Sequence, residues 1–220
     1  ELKAYDYMLR FEKGFSAEIS SGTPFQLLTL ASKACSVELA QTQEEIELLP
    51  NGKEPFGIYT SNDIETWRDL IYHMAKCMGC FATITRTGKL ALRTFGAKSV
   101  FNVPDTQRFS SGFSDFKTRY TAVSSTNLRT KEAEYYALDP DDALTMELGE
   151  SPLLQYGLEE TRKRILETIL QSVSAICYVP FDSETIGNPA LDVGDVLTFS
   201  GGQADSTALT CVTAYTFKIN

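Results

Sequence analysis

The sequence predicts an α+β chain: small antiparallel β-barrel or sandwich elements, with an α/β insertion containing two helices and a β-hairpin. Three observations carry this. Trp67, Leu70, Ile71, Met74 and Met78 recur at helical spacing. "FATITR" and "KLALRTF" alternate on either side of Thr87-Gly88, a hairpin signal. "IGNPALDVGDVLTFSGG", residues 186–202, joins apolar runs by Asn-Pro, Gly-Asp and Gly-Gly, the turn chemistry of a small β structure.

Taken in order, "YDYMLRFE" (5–12) reads as a short helix capped by Asp6, with a strand as the alternative. Thr23-Pro24 is an N-cap followed by Pro at the first helical position. Leu27, Leu30, Ala31 and Ala34 then predict a helix over 24–36. Residues 37–50 stand between strand and coil, and "NGKEP" (51–55) is a turn. Asn62 and Glu65 have capping-box spacing before the helix marked by Trp67 to Met78, and Gly79 sits where a left-handed cap is wanted.

Beyond the hairpin, residues 113–127 and 130–139 read as strands, with a turn at 140–142. A third helix is expected from about Leu158 to Val173, with Ile165, Leu166, Ile169 and Leu170 on its apolar face. Strands follow near 175–181, 193–199 and 208–219. Asn188 and Pro189 stop one strand, Gly194-Asp195 turns the chain, and Val196 begins the next. The simplest partition is a helix-rich α/β domain with a β-hairpin over 1–96 and a β-rich, barrel-like domain with one long helix over 97–220. The start at Glu1 and the end at Asn220, in a strand-like run, suggest a piece of a longer protein.

Composition excludes several classes. A hydrophobic fraction of 43% supplies a sizeable core, so disorder is not expected. Twenty Lys plus Arg against 29 Asp plus Glu give a net charge of -9, which disfavours specific nucleic-acid binding. No apolar run is long enough for a membrane span, and no basic start followed by an apolar stretch reads as a signal peptide. The five cysteines are odd in number and scattered, which argues against a disulfide framework.

Candidate chemistry is sparse. Cys77-Met78-Gly79-Cys80 is a CxxC, but it lies at the C-terminal end of a helix, where the dipole opposes a thiolate. No second CxxC or CxxH completes a zinc site, so core packing is the expectation. His73 is the single histidine and supports neither a multi-His metal site nor a self-evident triad. Asp139, Asp141 and Asp142 surround Pro140 without the Gly turn and closing Glu of a calcium loop. Glu159 and Glu160 beside Arg162, Lys163 and Arg164 read as a charged helix face with local pairs. Phosphate-loop, dinucleotide and nucleophile-elbow motifs are absent. The expectation is therefore no catalytic, cofactor-binding or metal-binding residue, and no cofactor.

Three stretches, in order, carry a resemblance: "KAYDYMLRFEKGF" leading into "TPFQLLTLASKACSVEL"; "TWRDLIYHMAKCMGCFATITRTGKLALRTF"; and "LQYGLEETRKRILETILQSVSAICYVPFDSETIGNPALDVGDVLTF". Together they resemble the hub proteins at the tip of phage and prophage tails, the tail-associated proteins of long-tailed phages related to the central hub of contractile baseplates. The resemblance implies β-barrel domains decorated by α/β insertions and assembled as homotrimers around a channel. It implies a non-enzymatic virion structural protein that closes the tail tube. Its partners would be tail-tube, distal-tail, tape-measure and tip or fibre proteins, assembled in the bacterial host cytoplasm. The alternatives are a tail-associated cell-wall hydrolase, or a receptor- or glycan-binding module.

Overall fold

The computed structural model describes residues 5–16, 19–59, 63–127, 129–139, 141, 143–155 and 157–217. The chain forms two compact units from alternating segments: Glu1–Thr94 with Thr121–Ser172, and Phe95–Tyr120 with Val173–Asn220. In chain order the first segment holds a 3-10 helix at Tyr7–Glu12, β1 at Ser21–Gly22, α1 at Pro24–Cys35, α2 at Gln43–Glu47 and β2 at Phe56–Gly57. It continues with α3 at Trp67–Cys77, β3 at Cys80–Ile84 and β4 at Leu90–Thr94. Next come β5 at Phe101–Pro104, β6 at Arg108–Phe113, β7 at Ala122–Thr126, β8 at Ala133–Ala137 and β9 at Thr145–Glu150. Last are α4 at Glu159–Ser174, β10 at Phe181–Thr185, β11 at Val196–Ser200 and β12 at Thr210–Cys211.

Side-chain caps set the helices of the first unit. Asp6 accepts from the Met8 amide at 2.9 Å, so the 5–12 stretch is helical, in 3-10 form. Thr23 caps α1 with Gln26 reaching back, as expected. The stretch left between strand and coil contains α2, begun by a capping box of Thr42 and Glu45. That Thr-x-x-Glu spacing was a readable signal. Helix α3 is capped by Thr66 with Asp69. The expected cap at Asn62 lies outside the described residues. Gly79 takes φ 59 after α3, in the left-handed region only glycine enters freely.

These helices bury Leu27, Leu28, Leu70, Ile71, Met74, Leu166 and Ile169 with Leu90 and Leu92 of the β3–β4 hairpin. Asn51, at φ 54, donates from Nδ2 to the carbonyls of Cys77 at 2.9 Å and Ile165 at 3.0 Å, joining the end of α3 to α4. Next to it, Gly52 is obligatory for another reason: a Cβ there would lie 2.0 Å from the Ile46 carbonyl. A three-stranded sheet in the order β8-β7-β9 completes the unit, with β7 and β9 parallel.

The second unit has a smaller core. Val103, Leu197, Phe199 and Val212 are buried, with Phe113 and Phe181 packed on them. Both rings meet Phe199 at centroid distances of 5.1 Å. The sheet runs β12-β11-β5, with β11 and β5 parallel, and β6 and β10 form a separate antiparallel ribbon.

Several expectations are corrected. The single strand expected over 113–127 is two, because the chain passes between units at residues 120 and 121. The strand expected at 175–181 begins at Phe181; Tyr178 makes only an isolated bridge to Thr118. Within the described part of the 208–219 run the strand is Thr210–Cys211, and Leu209 and Val212 add backbone bonds to Val179, Gly194 and Asp195. Two strand pairs are parallel where antiparallel structure was expected. Among the described residues every sheet is open, with two or three strands, and none closes into a barrel. A partition at residue 96 falls beside the first crossover, while 121–172 packs with the first unit.

Candidate functional site

The singled-out residues resolve into structural roles. Cys77 and Cys80 are buried, and burial pushes both thiols up to about 12. Cys77 Sγ lies 3.6 Å from Ser151 Oγ, and Cys80 donates to the Met78 carbonyl at 3.2 Å. A thiol held so far above neutrality is not a nucleophile. Among the described residues no group of three His, Cys, Asp or Glu could hold a metal ion. His73 is held below the usual imidazole range, first by burial and then by Lys76. Its Nδ1 is buried and meets no hydrogen-bond partner among the described residues.

The acidic stretch is a turn: Asp139 Oδ1 accepts from the Asp141 amide at 3.1 Å, while Pro140 and Asp142 lie outside the described residues. Only part of the charged face of α4 pairs locally, through Lys163 and Glu167 at 3.9 Å. Arg162 reaches instead to Glu134 on β8 at 2.6 Å, with both side chains about seven-eighths buried, at 13% and 14% exposed. Arg164 reaches Glu54 at 2.7 Å. In the 186–202 stretch, Asn188 Oδ1 accepts from Ala190 at 2.9 Å and Asp195 Oδ2 from Asp192 at 2.8 Å. Those acids and amides form corners, as read from the sequence.

A recess lies in the second unit, a cleft of about 750 Å3 along β6 and the segment after it. Arg108 ties its floor to the end of β11, donating from Nη2 to the Ser200 carbonyl at 2.9 Å and the Gly201 carbonyl at 2.7 Å. Its Nη1 reaches Ser111 Oγ at 3.2 Å. On the opposite wall Asp205 accepts from the Thr207 amide at 2.9 Å and hydroxyl at 2.6 Å, and these bonds lower its pKa. The cleft therefore offers hydroxyls, backbone and charged groups, with Arg108 and Asp205 engaged in the bonds just named. Phe109 and Phe116 line it while 77% and 63% exposed. Aromatic rings left in water beside an open cleft mark a surface for contact with another chain. Sequence reasoning missed this face; the one available signal was "RFSSGF", in which two Phe flank a Ser-Ser-Gly run.

No family model matches the chain, and no curated protein matches it in sequence. Its fold is similar to that of the 43 kDa tail protein of prophage MuSo2 from Shewanella oneidensis, with a TM-score of 0.53 at 9% identity. That likeness covers 90% of this chain and 64% of that one. The tail protein from Neisseria meningitidis MC58 is similar at a TM-score of 0.46 and 13% identity, covering 86% of this chain and 59% of that one. The chain thus spans about three-fifths of the length of these tail proteins and shares its fold with the first.

Proposed function

We propose that this chain is a structural, non-enzymatic part of a phage or prophage tail, at the tip or baseplate hub. The observation that carries the reading is the fold shared over 90% of the chain with a prophage tail protein. Exposed rings beside the cleft, suited to assembly, support it. In this reading the protein forms a homotrimer, closes the tail tube, and joins it to distal-tail, tape-measure and tip or fibre proteins. Barrel closure is then a property of the assembled ring. The surplus of acidic groups would keep passing DNA from sticking to its walls.

The test is antibody labelling of purified tails from induced host cells, viewed by negative stain. Label confined to the distal end of the tail is expected. Label along the shaft would keep a tail role and overturn the hub placement. Absence of the chain from purified particles would overturn both.

A further inference from the structure

The sequence contains one Asn-Gly step, Asn51-Gly52. In water an Asn before Gly deamidates more readily than other Asn, because glycine puts no side chain over the attacking backbone nitrogen and lets the backbone reach the ring-closing geometry. The fold nevertheless requires both residues. Position 51 is left-handed, at φ 54, a conformation that Asn tolerates better than most residues. Its Nδ2 supplies two donors, to the Cys77 carbonyl at 2.9 Å at the end of α3 and to the Ile165 carbonyl at 3.0 Å in α4. An ionised Asp has no donor to put there. At position 52 a Cβ would lie 2.0 Å from the Ile46 carbonyl oxygen and 2.9 Å from Glu47 Cα, so only glycine fits. Sterics and hydrogen bonding together impose a chemically labile pair.

The closed junction also restrains the chemistry. Deamidation begins when the Gly52 nitrogen, having lost its proton to solvent base, attacks Asn51 Cγ. In the folded chain that N–H donates to the Leu49 carbonyl at 2.9 Å, and Gly52 is buried. The Nδ2 leaving group is engaged twice, so the side chain is tethered to two helices and not free to turn. The surroundings are tightly packed: Met74 and Cys77 of α3 and Leu166 and Ile169 of α4 are wholly buried. Ile169 packs where α3 ends, its Cγ2 3.7 Å from the place a Cβ on Gly79 would take. Freeing the Asn51 amide therefore means separating α3 from α4.

We propose that Asn51 is a modification site: its deamidation is gated by opening of the α3–α4 junction and, once done, keeps that junction from closing fully. In the opened chain solvent base takes the Gly52 amide proton, and the nitrogen forms a bond to Asn51 Cγ. The Cγ–Nδ2 bond breaks, and ammonia leaves with a proton returned by solvent. Water then opens the five-membered succinimide at either carbonyl, giving aspartate or isoaspartate. Water is the sole co-reactant, and nothing is oxidised or reduced. In either product both donors are gone. In aspartate a carboxylate faces the Cys77 and Ile165 carbonyls, acceptor against acceptor, which is costly away from water. In isoaspartate the main chain gains a methylene just before the glycine that must pass under Ile46. Opening is thereby recorded irreversibly. The inference concerns the first unit alone and does not depend on the tail reading above.

The test compares the 220-residue chain, its Ile169→Val variant and a peptide with the sequence of residues 48–55, all incubated in the same mildly alkaline buffer. Mass spectrometry after digestion at acid pH follows deamidation at Asn51 over time. The folded chain should react at least roughly tenfold more slowly than the peptide, since only its opened fraction reacts. Ile169→Val, a mild change that keeps the fold, should raise the rate at least roughly twofold by populating the opened junction. Asn51→Asp should melt below the parent and below Asn51→Gly, which keeps the left-handed backbone without the carboxylate. Equal rates in folded chain and peptide would overturn the gate. An unchanged rate in Ile169→Val despite a lowered melting temperature would overturn the α3–α4 junction as its place. Asn51→Asp melting with the parent would overturn the block to closure.

Discussion

In the first unit Leu27, Leu28, Leu70, Ile71, Met74, Leu90 and Leu92 are almost wholly buried, drawn from two helices and a hairpin. In the second the buried apolar group is Val103, Leu197, Phe199 and Val212, with phenylalanines only partly covered around it. The first unit also caps its helices with three Thr-based capping boxes. The second is made of a two-stranded ribbon and a three-stranded sheet with open edges. A two-stranded ribbon is marginal in water unless something covers it. The contrast teaches that one half of the chain buries a larger core, while the other leaves backbone edges and aromatic surface exposed. Anything that binds only the folded form adds to its stability, so assembly should reinforce the second unit most.

The largest expected effect divides the two units directly. Phe199→Ala should cost about 3–5 kcal/mol, and Met74→Ala about 2–5 kcal/mol. By hydrogen exchange, Phe199→Ala should strip protection from β11 amides while those of α3 keep theirs, and Met74→Ala should do the reverse. Loss of protection in both units from either change would break the comparison and show one cooperative fold. Next is Asn51→Ala, which removes two buried-side hydrogen bonds and leaves a left-handed residue, at about 2 kcal/mol by urea titration. Asn51→Gly should recover part of that loss, because it keeps the φ and gives up only the bonds. Equal costs would mean that backbone strain is irrelevant there.

A smaller loss, about 1 kcal/mol, is expected for Thr66→Ala, which deletes the α3 cap. The smallest effects near neutrality are those of pH. Burial raises the folded pKa values of Cys77 and Cys80 to about 12, from an ordinary thiol value of 9.0. The unfolded chain therefore releases these protons first, so their contribution is complete below pH 9 and falls away between 9 and 12. Thermal melts across that range should decline, and less steeply after Cys77→Ser with Cys80→Ser. His73 has the opposite sense: its pKa is lowered from 6.5, so stability declines as pH falls below that value. A His73→Gln variant should flatten the acid limb, and an unchanged slope would place the cause elsewhere.

Local chemistry made much of the first unit legible. The Thr23-Pro24 start, the Leu70–Met74–Met78 face, the Thr87-Gly88 hairpin and the α4 stripe each signal within a few residues. The corners at Asn188 and Asp195 were equally readable, because an Asx side chain bonds its own neighbouring backbone. Strands β5 and β6 were missed and β7 was run into its neighbour, since short strands have little periodicity to read.

What the sequence by itself determined was the three longer helices, the hairpin and the turns. Only the tertiary structure decided that β5 runs parallel beside β11 and that residues 121–172 return to the first unit. The physical reason is range. Capping and helical packing act between residues three or four apart. Strand pairing joins Phe101 to Leu197 across most of the second half of the chain, and which edge is filled or left open depends on where those distant segments meet.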